Sequence, residues 1–445
     1  MLTVLFVPLD GLGHINACHG LADSLREAGH WCVFAVDDFF VDQLTKYGFA
    51  VQSLTANVDK INDGVSLTQL QPPPMTEDKM RAKRENNFVA RNAQVFKECP
   101  LNVAKTYVGL FDELCDVLMA RDQIYKRIVA DVKPDVIVVD SYINSPVLTT
   151  NSGIPWVWLY SAAPLMILNS NLSSDQLPPA WLGLPTNDTN DWPKHRENLD
   201  KVFEKLYHKC NKWYQSYGAA LTPVTSNTTN TCIHPVSSYL NIYMTPEELD
   251  YREVQPLPEN WRRIDCIVRT TGDTFDIPAK LRDRPGRLVY LSMGSLGCSH
   301  IELMTRLTNI LGKSRHKFIV TKGPLHYKYD LPDNMWGNES LPQLAILPLV
   351  DLVITHGGNN TVTECCYYGK PMLVMPLFAD QFDNAQRVQE SGLGLRCNPF
   401  ECSDEELVQS VDKLADDSTL ADRMRRIGDR IRRSNDREMI VKIIE

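Results

Sequence analysis

The sequence predicts an α/β protein with parallel sheets, divided into at least two domains. The chain has 445 residues, which is more than one hydrophobic core usually holds. Apolar runs at residues 2–7, 136–139 and 352–354 have the length and composition of buried strands. The first and the last of these runs lead through a glycine-containing turn into a helical pattern, which is the order of a βα unit.

The composition argues against several classes of partner. The chain has 46 basic and 55 acidic residues and a net charge of −9, so we expect neither a nucleic acid nor an anionic membrane surface as a partner. Its 12 cysteines contain no C-x-x-C pair, which argues against a zinc site and a disulfide framework. We expect a cytoplasmic monomer without a transmembrane anchor, because residues 2–7 resemble a strand and the C-terminal segment contains no apolar 18-residue run.

The turn after the first strand carries a candidate general base. His14 lies where the following helix begins, and the positive end of the helix dipole should keep its imidazole neutral and able to accept a proton. A helix-capping or core histidine is the alternative. Gly11 and Gly13 begin a G-x-G pattern, but Asn16 stands where the nicotinamide dinucleotide fingerprint needs its third glycine. A nicotinamide-dependent oxidoreductase is therefore disfavoured.

A carboxylate follows another buried strand. Asp140 comes directly after the apolar run 136–139, and ligand crevices of parallel sheets open at the carboxyl ends of strands. Such a carboxylate can hold the Nδ1–H of a catalytic histidine, although helix capping is the alternative role. Further along the chain, residues 162–168 are expected to line an apolar acceptor pocket or to serve only as core. We expect irregular helices over residues 178–260.

The stretch from residue 351 to residue 381 forms one strand–helix–strand unit. The turn His356-Gly357-Gly358 precedes the helix, so bare backbone and the helix N-terminus offer a site for phosphate. Glu364, one turn inside the helix, is placed to accept hydrogen bonds from ribose hydroxyls. The pair Asp380-Gln381 follows the next strand and suits sugar hydroxyls. Together these sites describe a nucleotide-sugar.

The residues Pro342-Gln343, His356-Gly357-Gly358, Asn360-Thr361, Glu364 and Asp380-Gln381 stand in the order and spacing of a known donor signature. In these motifs the chain resembles the UDP-glycosyltransferases. The resemblance implies a GT-B fold, with two Rossmann-like domains whose parallel sheets face each other across a cleft and a C-terminal helix that crosses back to the N-terminal domain. It also implies that His14 and Asp140 form the catalytic pair. The positions that it assigns to donor binding are Gly13, Ser292, Gly294, Ser295, Leu341, Gln343, His356, Gly358, Asn359, Asn360, Thr361, Glu364, Asp380 and Gln381.

The domain boundaries follow from this resemblance and from the proline-rich runs near the middle of the chain. We expect an acceptor-binding domain over residues 1–255, completed by the C-terminal helix at about 428–445. A linker is expected over 256–285 and a UDP-sugar-binding domain over 286–427. The turn from Ser292 to Ser295 resembles the phosphate-facing turn of the family, with a plain tight turn as the alternative.

The implied reaction is inverting transfer of a hexose, glucose by preference, from UDP to a hydroxyl of a small lipophilic acceptor. No D-x-D motif occurs, so we expect neither a metal nor another cofactor. Many family members have a tryptophan that stacks on uracil where this chain has Ser340, and Trp336 or Leu341 are candidates to replace it. The alternative function is a non-catalytic UDP-sugar or small-molecule binding protein of the same fold.

Overall fold

A computed structural model describes residues 1–55, 82, 87–171, 176–221, 233, 236–251 and 258–445. Within these residues, seven parallel strands form a first sheet in the order β3-β2-β1-β4-β5-β6-β7. The strands are β1 (Thr3–Pro8), β2 (Trp31–Val36), β3 (Ala50–Ser53), β4 (Val136–Asp140), β5 (Trp156–Tyr160), β6 (Leu240–Met244) and β7 (Trp261–Ile264). We call residues 1–264 the first half.

In the described part of the chain, six further parallel strands form a second sheet in the order β10-β9-β8-β11-β12-β13. These strands are β8 (Leu288–Ser292), β9 (Lys317–Thr321), β10 (Met335–Asn338), β11 (Leu352–Thr355), β12 (Met372–Val374) and β13 (Gly394–Arg396). We call residues 279–432 the second half and residues 265–278 the connecting segment. Both sheets have the strand order of a Rossmann fold, as the sequence predicts.

Helices cover the faces of both sheets. In the first half they are α1 (Leu12–Glu27), α2 (Val41–Lys46), α3 (Phe88–Arg91), α4 (Pro100–Ala120), α5 (Asp122–Val132), α6 (Pro146–Thr149), α7 (Leu165–Asn171) and α8 (Trp192–Gln215). After the connecting segment come α9 (Ala279–Arg282), α10 (Gly294–Gly297), α11 (Ile301–Leu311), α12 (Gln343–Ile346), α13 (Asn359–Tyr367), α14 (Gln381–Glu390), α15 (Asp404–Asp416), α16 (Ser418–Arg432) and α17 (Asp436–Ile444).

The strand predictions rest on continuous apolar runs, and burial explains why those runs form strands. All five residues of β4 are buried, and so are five of the six residues of β1, because helices cover these strands on both faces. β1 pairs with β4 in parallel, which sets Pro8 beside Asp140 at the carboxyl ends. The loops that follow these two strands therefore open at the same edge of the sheet.

Each sheet has a switch point between two neighbouring strands. At this point the connection after one strand runs toward one edge of the sheet, and the connection after its neighbour runs toward the opposite edge. In the first sheet this point lies between β1 and β4, and in the second it lies between β8 and β11. The carboxyl ends of strands at such a point form the crevice that binds ligands in open parallel sheets. The predicted catalytic pair follows β1 and β4, and the predicted phosphate turns follow β8 and β11.

The C-terminal segment returns to the first half, as expected. Ile440, Val441 and Ile444 of α17 are buried in the same cluster as Val4 of β1 and Leu21 of α1. The expectation of one helix over about 428–445 is wrong in detail, since the chain forms α16 and α17 with a break at residues 433–435. Serine and asparagine stand at this break, and their side chains compete with helical hydrogen bonding.

Two further expectations need correction. Residues 178–260 were expected to form irregular helices, but α8 is a regular helix of 24 residues that packs against α4, with Sγ of Cys210 3.7 Å from Sγ of Cys115. The range 256–285 was expected to be a linker, yet β7 lies inside it and pairs with β6. The predicted boundary at residues 255 and 256 lies outside the described residues, and the domain limits stay predictions.

Candidate active site

The predicted catalytic pair lies at the switch point of the first sheet. Nδ1 of His14 is 3.1 Å from Oδ1 of Asp140, and their side chains are 18% and 2% exposed. Because a carboxylate only accepts hydrogen bonds, Nδ1 carries the hydrogen of His14, and Nε2 is left able to accept a proton. The second oxygen of Asp140 has no hydrogen-bond partner among the described residues. Asp140 is therefore oriented mainly toward His14.

The surroundings of His14 raise its pKa. Burial opposes protonation of the imidazole, but the charge and hydrogen bond of Asp140 and the charge of Asp380 outweigh it, so the pKa of His14 lies above its ordinary value. The expectation that the helix dipole keeps this ring neutral is wrong in its direction, because that argument considered only α1 and not the carboxylates that face the ring. A raised pKa makes His14 a stronger base.

Asp380 and Gln381 stand at the start of α14, and the side chain of Asp380 contacts the first half. Oδ2 of Asp380 accepts a hydrogen bond of 2.9 Å from the backbone N–H of Ala163. Burial raises the pKa of Asp380 to about 6, although the Ala163 N–H and the charge of His14 act in the opposite direction. Oε1 of Gln381 accepts from the backbone N–H groups of Leu377 and Phe378 at 3.0 and 3.2 Å. The Asp380 side chain thus lies in the cleft within electrostatic reach of His14.

His356 is packed between two glycines. A Cβ atom added at Gly294 would lie 2.4 Å from Cε1 and Nε2 of His356, and one added at Gly358 would lie 2.5 Å from Nε2. Gly294 also has a φ of +75°, which side chains rarely adopt. Burial lowers the pKa of His356 to about 4, so its ring is neutral at pH 7. A neutral ring can donate one hydrogen bond to an anionic group.

The N-terminus of α13 lies directly against the first turn of α1, which carries His14. Nδ2 of Asn360 donates a hydrogen bond of 2.5 Å to the carbonyl oxygen of Gly13. Asn359 donates from Nδ2 to the carbonyl oxygens of Ser161 and Met244, at 3.1 and 2.9 Å. Both amide hydrogens of Asn359 are therefore used by the first half, and the side chain has none left for a donor substrate.

Glu364 is held by two side chains. Its Oε1 is 2.9 Å from Nη1 of Arg269, and its Oε2 accepts a hydrogen bond of 2.6 Å from Nε2 of Gln343. The Gln343 amide also reaches Oγ1 of Thr361 at 3.4 Å. The carboxylate of Glu364 is 6% exposed, so these contacts fix its position beside the cleft. Each of its oxygens keeps a lone pair for a hydroxyl group.

The remaining predicted donor residues are arranged around the end of β8 and the start of α12. Oγ of Ser292 accepts from the backbone N–H of Gly294 at 3.4 Å, whereas the side chain of Ser295 is exposed. Leu341 packs against the hydrophobic core. The ring of Trp336 lies 5.8 Å from that of Phe275, so this candidate for uracil stacking already has an aromatic neighbour.

The two halves also contact each other through Asp383. Asp383 of α14 accepts hydrogen bonds from the backbone N–H groups of Trp181 and Gly183, at 2.7 and 3.1 Å. Trp181 and Gly183 have φ values of +71° and +59°, and the resulting bend directs both N–H groups at the carboxylate. Burial raises the pKa of Asp383 to about 7, against the effect of these two N–H groups.

Two residues of the candidate site, Ser161 and Arg269, were not predicted from the sequence. Oγ of Ser161 lies 3.1 Å from Nδ1 of His14, and the Ser161 N–H donates to Oδ1 of Asp140 at 3.4 Å. The rule that identified Asp140 applies here too, since Ser161 directly follows the apolar strand β5. The sequence around Arg269 gives no such signal. Its contact with Glu364 depends on how the connecting segment packs against α13.

Over the described ranges, no group of three or more His, Cys, Asp or Glu side chains is arranged to hold a metal ion. Metal independence stays a prediction. Likewise, no helix in those ranges is long and apolar enough to cross a membrane.

The comparisons with known proteins agree on one family. A family model described as "UDP-glucoronosyl and UDP-glucosyl transferase" matches residues 5–431. Human UDP-glucuronosyltransferase 1A1 is 23% identical over 450 residues, which cover 95% of this chain and 78% of the relative. The uncharacterized UDP-glucosyltransferase YojK of Bacillus subtilis strain 168 is 26% identical over 185 residues, or 40% of this chain and 45% of the relative.

Solved structures confirm the GT-B fold. The crystal structure of the glycotransferase of kitacinnamycin aligns with a TM-score of 0.68 at 17% identity, covering 100% of this chain and 98% of that one. The spinosyn rhamnosyltransferase SpnG, complexed with thymidine diphosphate, aligns with a TM-score of 0.62 at 19% identity over 100% of both chains. The predicted family is confirmed by the model match across most of the sequence: this chain belongs to the UDP-glycosyltransferase family.

Proposed function

We propose that this UDP-glycosyltransferase transfers glucose from UDP-glucose to a hydroxyl group of a small lipophilic acceptor, with inversion at the anomeric carbon. The observation that carries the proposal is the contact of 3.1 Å between Nδ1 of His14 and Oδ1 of Asp140 at the switch point of the first sheet. This contact leaves Nε2 of His14 as the proton acceptor, in the first turn of α1, where the carbonyl oxygen of Gly13 accepts a hydrogen bond from Asn360 of α13.

The proposed reaction is a single displacement. The acceptor hydroxyl gives its proton to Nε2 of His14 while its oxygen attacks the anomeric carbon. The bond from that carbon to the UDP oxygen breaks, and its electron pair leaves with the diphosphate. The N–H groups at the start of α13 and the neutral ring of His356 stabilise the developing charge. Asp140 stabilises the imidazolium that forms. One displacement without a protein nucleophile inverts the configuration.

The charges around Asp380 favour glucose over glucuronate. Burial already raises the pKa of Asp380 to about 6, and Asp383 lies on the next turn of the same helix with its pKa raised to about 7. The charge of Asp380 is among the causes of that shift at Asp383. A glucuronosyl group would bring another carboxylate into this poorly solvated region, and like charges there repel strongly. A neutral hexose avoids this cost, and its hydroxyls can donate to Asp380.

Aromatic side chains beside His14 support a lipophilic acceptor. The ring of Tyr142 lies 5.8 Å from that of His14, and Phe111 lies 5.1 Å from Tyr142. Trp181 lies 5.9 Å from Phe111 and is bound through its backbone to Asp383. An apolar acceptor that packs against this group would place its hydroxyl near the base.

A transfer assay with NMR analysis of the product tests the proposal. Purified protein is incubated with UDP-glucose or UDP-glucuronate and a panel of lipophilic phenols and alcohols. The expected product is a β-glucoside, because UDP-glucose carries its sugar in the α configuration. An α-glucoside would refute inversion, and a glucuronide formed in preference would refute the choice of donor. Binding of UDP-glucose without any turnover across the panel would instead favour a non-catalytic UDP-sugar binding protein.

A further inference from the structure

One buried amide joins α13, the helix that carries the donor signature, to the ends of two strands of the first sheet. Asn359 is the first residue of α13 and is 6% exposed. It donates to the carbonyl oxygens of Ser161, which follows β5, and of Met244, which ends β6. A primary amide has only two hydrogens, so none remains for a partner in its own half. The side chain of Asn359 thus serves the contact between the halves.

Ser161 continues this contact to the base. Its Oγ lies 3.1 Å from Nδ1 of His14, and its backbone N–H donates to Oδ1 of Asp140 at 3.4 Å. The carbonyl oxygen of the same residue receives Asn359. A single residue therefore contacts the general base, its carboxylate and the first residue of the donor helix.

We propose that Asn359 and Ser161 are positioning residues that fix the His14–Asp140 pair relative to the N-terminus of α13. This inference rests on the proposed function, in which the donor diphosphate occupies that N-terminus and His14 is the base. Transfer requires the acceptor oxygen, held by the first half, to approach the anomeric carbon, held by the second half. Because a misplacement of about 1 Å can cost a hundredfold in rate, a direct tie between the two sites acts on turnover.

Substitution of Asn359 separates positioning from binding. In Asn359→Ala both hydrogen bonds are lost, and in Asn359→Asp the shape is kept while an ionised carboxylate faces two carbonyl oxygens. We expect kcat to fall by about tenfold or more in both variants, because each variant loses the two hydrogen bonds that hold α13 against the first half. The Kd for UDP, measured by calorimetry, should change by less than about threefold, because His356, Glu364 and the backbone N–H groups of α13 remain in place to bind UDP.

Asn334→Ala is the matched control. Asn334 is also a buried asparagine of the second half, but its Nδ2 donates to the carbonyl oxygens of Leu311 and His316, at 2.9 and 3.0 Å, both within that half. This variant should lower the melting temperature at least as much as Asn359→Ala, while kcat of the folded protein stays unchanged. A decrease in kcat that merely followed stability would appear in the control too.

Ser161→Ala is a second test of the inference, and it removes only one hydroxyl group. It should lower kcat, leave the Kd for UDP unchanged and move the acidic limb of the pH–rate profile, because Oγ of Ser161 touches the ring that titrates. In the double variant with Asn359→Ala the losses should be less than additive, as expected for residues that act through one contact.

Unchanged kcat in the folded Asn359 and Ser161 variants would overturn the inference. His14→Ala, assayed in parallel, distinguishes this failure from that of the proposed function. If His14→Ala is inactive while the Asn359 and Ser161 variants are normal, only the inference fails. If His14→Ala keeps its activity, the assignment of the base is at fault.

Discussion

Nη1 of Arg269 lies 2.9 Å from Oε1 of Glu364, so the segment that connects the two halves is tied to the helix that carries the donor signature. The two side chains are 15% and 6% exposed, and Gln343 holds the other carboxylate oxygen at 2.6 Å. These contacts orient Glu364 while leaving lone pairs for ribose hydroxyls. We therefore expect the position of this carboxylate to influence which nucleotide the protein selects.

Glu364→Ala should weaken UDP binding by about 1–3 kcal/mol, because the ribose hydroxyls lose a buried acceptor. For the same reason the wild-type protein should have a higher kcat/KM for UDP-glucose than for dTDP-glucose, because the deoxyribose of dTDP lacks the 2′-hydroxyl. UDP-galactose should be a poorer donor than UDP-glucose. Calorimetry and steady-state rates with the three donors check these statements, and Glu302→Ala, which alters an exposed ion pair with Lys97, is the control. Equal use of all three donors would contradict the assignment.

Gly294→Ala should displace the ring of His356. The added Cβ would lie 2.4 Å from that ring, and the φ of +75° adds backbone strain of about 1–3 kcal/mol. We expect a lower melting temperature and weaker UDP binding. Gly109→Ala is the matched control, since an added Cβ there meets no atom within 4 Å, and alanine within α4 should stabilise by up to about 1 kcal/mol. Normal UDP affinity in Gly294→Ala would argue against His356 as a diphosphate ligand.

The rate should depend on pH through His14. The base acts only when neutral, so kcat/KM should rise with pH as His14 loses its proton, and the midpoint should lie above the ordinary histidine value because Asp140 and Asp380 raise the pKa. Asp140→Asn removes one of these charges, so the midpoint should move to lower pH while the maximal rate falls. A pH profile of kcat/KM for both proteins measures this shift. If the midpoint is the same in both proteins, Asp140 does not raise the pKa of the base, which would contradict this prediction.

Transfer should continue in the presence of EDTA. The sequence contains no D-x-D motif, and the N-terminus of α13 and the ring of His356 are placed to receive the diphosphate. The rate with UDP-glucose is compared before and after dialysis against EDTA, with Mn²⁺ and Mg²⁺ added back. A loss of activity that Mn²⁺ restores would contradict this prediction.

Several strands were predictable because each is a continuous apolar run, whereas β6 and β7 lie in ranges predicted as irregular helices and as a linker. The run 136–139 is apolar without interruption, and the residue that follows it, Asp140, must lie at the carboxyl end whatever the rest of the chain does. The same local logic located the turn at His356. The positions of such residues are determined by one strand and the loop after it.

The contacts between the halves were not predictable in this way. Ser161 and His14 are 147 residues apart, and Asn359 and Ser161 are 198 residues apart. Which side chains meet depends on how the two sheets pack, and no local sequence pattern predicts contacts between residues so far apart in the chain. The direction of the His14 pKa was missed for another reason: the prediction considered only the dipole of α1, whereas the charge and hydrogen bond of Asp140, followed by the charge of Asp380, raise this pKa.

The most direct test of this account is the activity of His14→Ala, measured together with its affinity for UDP. His14 touches the acceptor proton only during transfer, so kcat should fall by about 10²–10⁴ while the Kd for UDP stays within about threefold of the wild-type value. The melting temperature of the variant establishes that it is folded. A folded His14→Ala protein that transfers glucose at the wild-type rate would contradict the central claim that His14 is the general base.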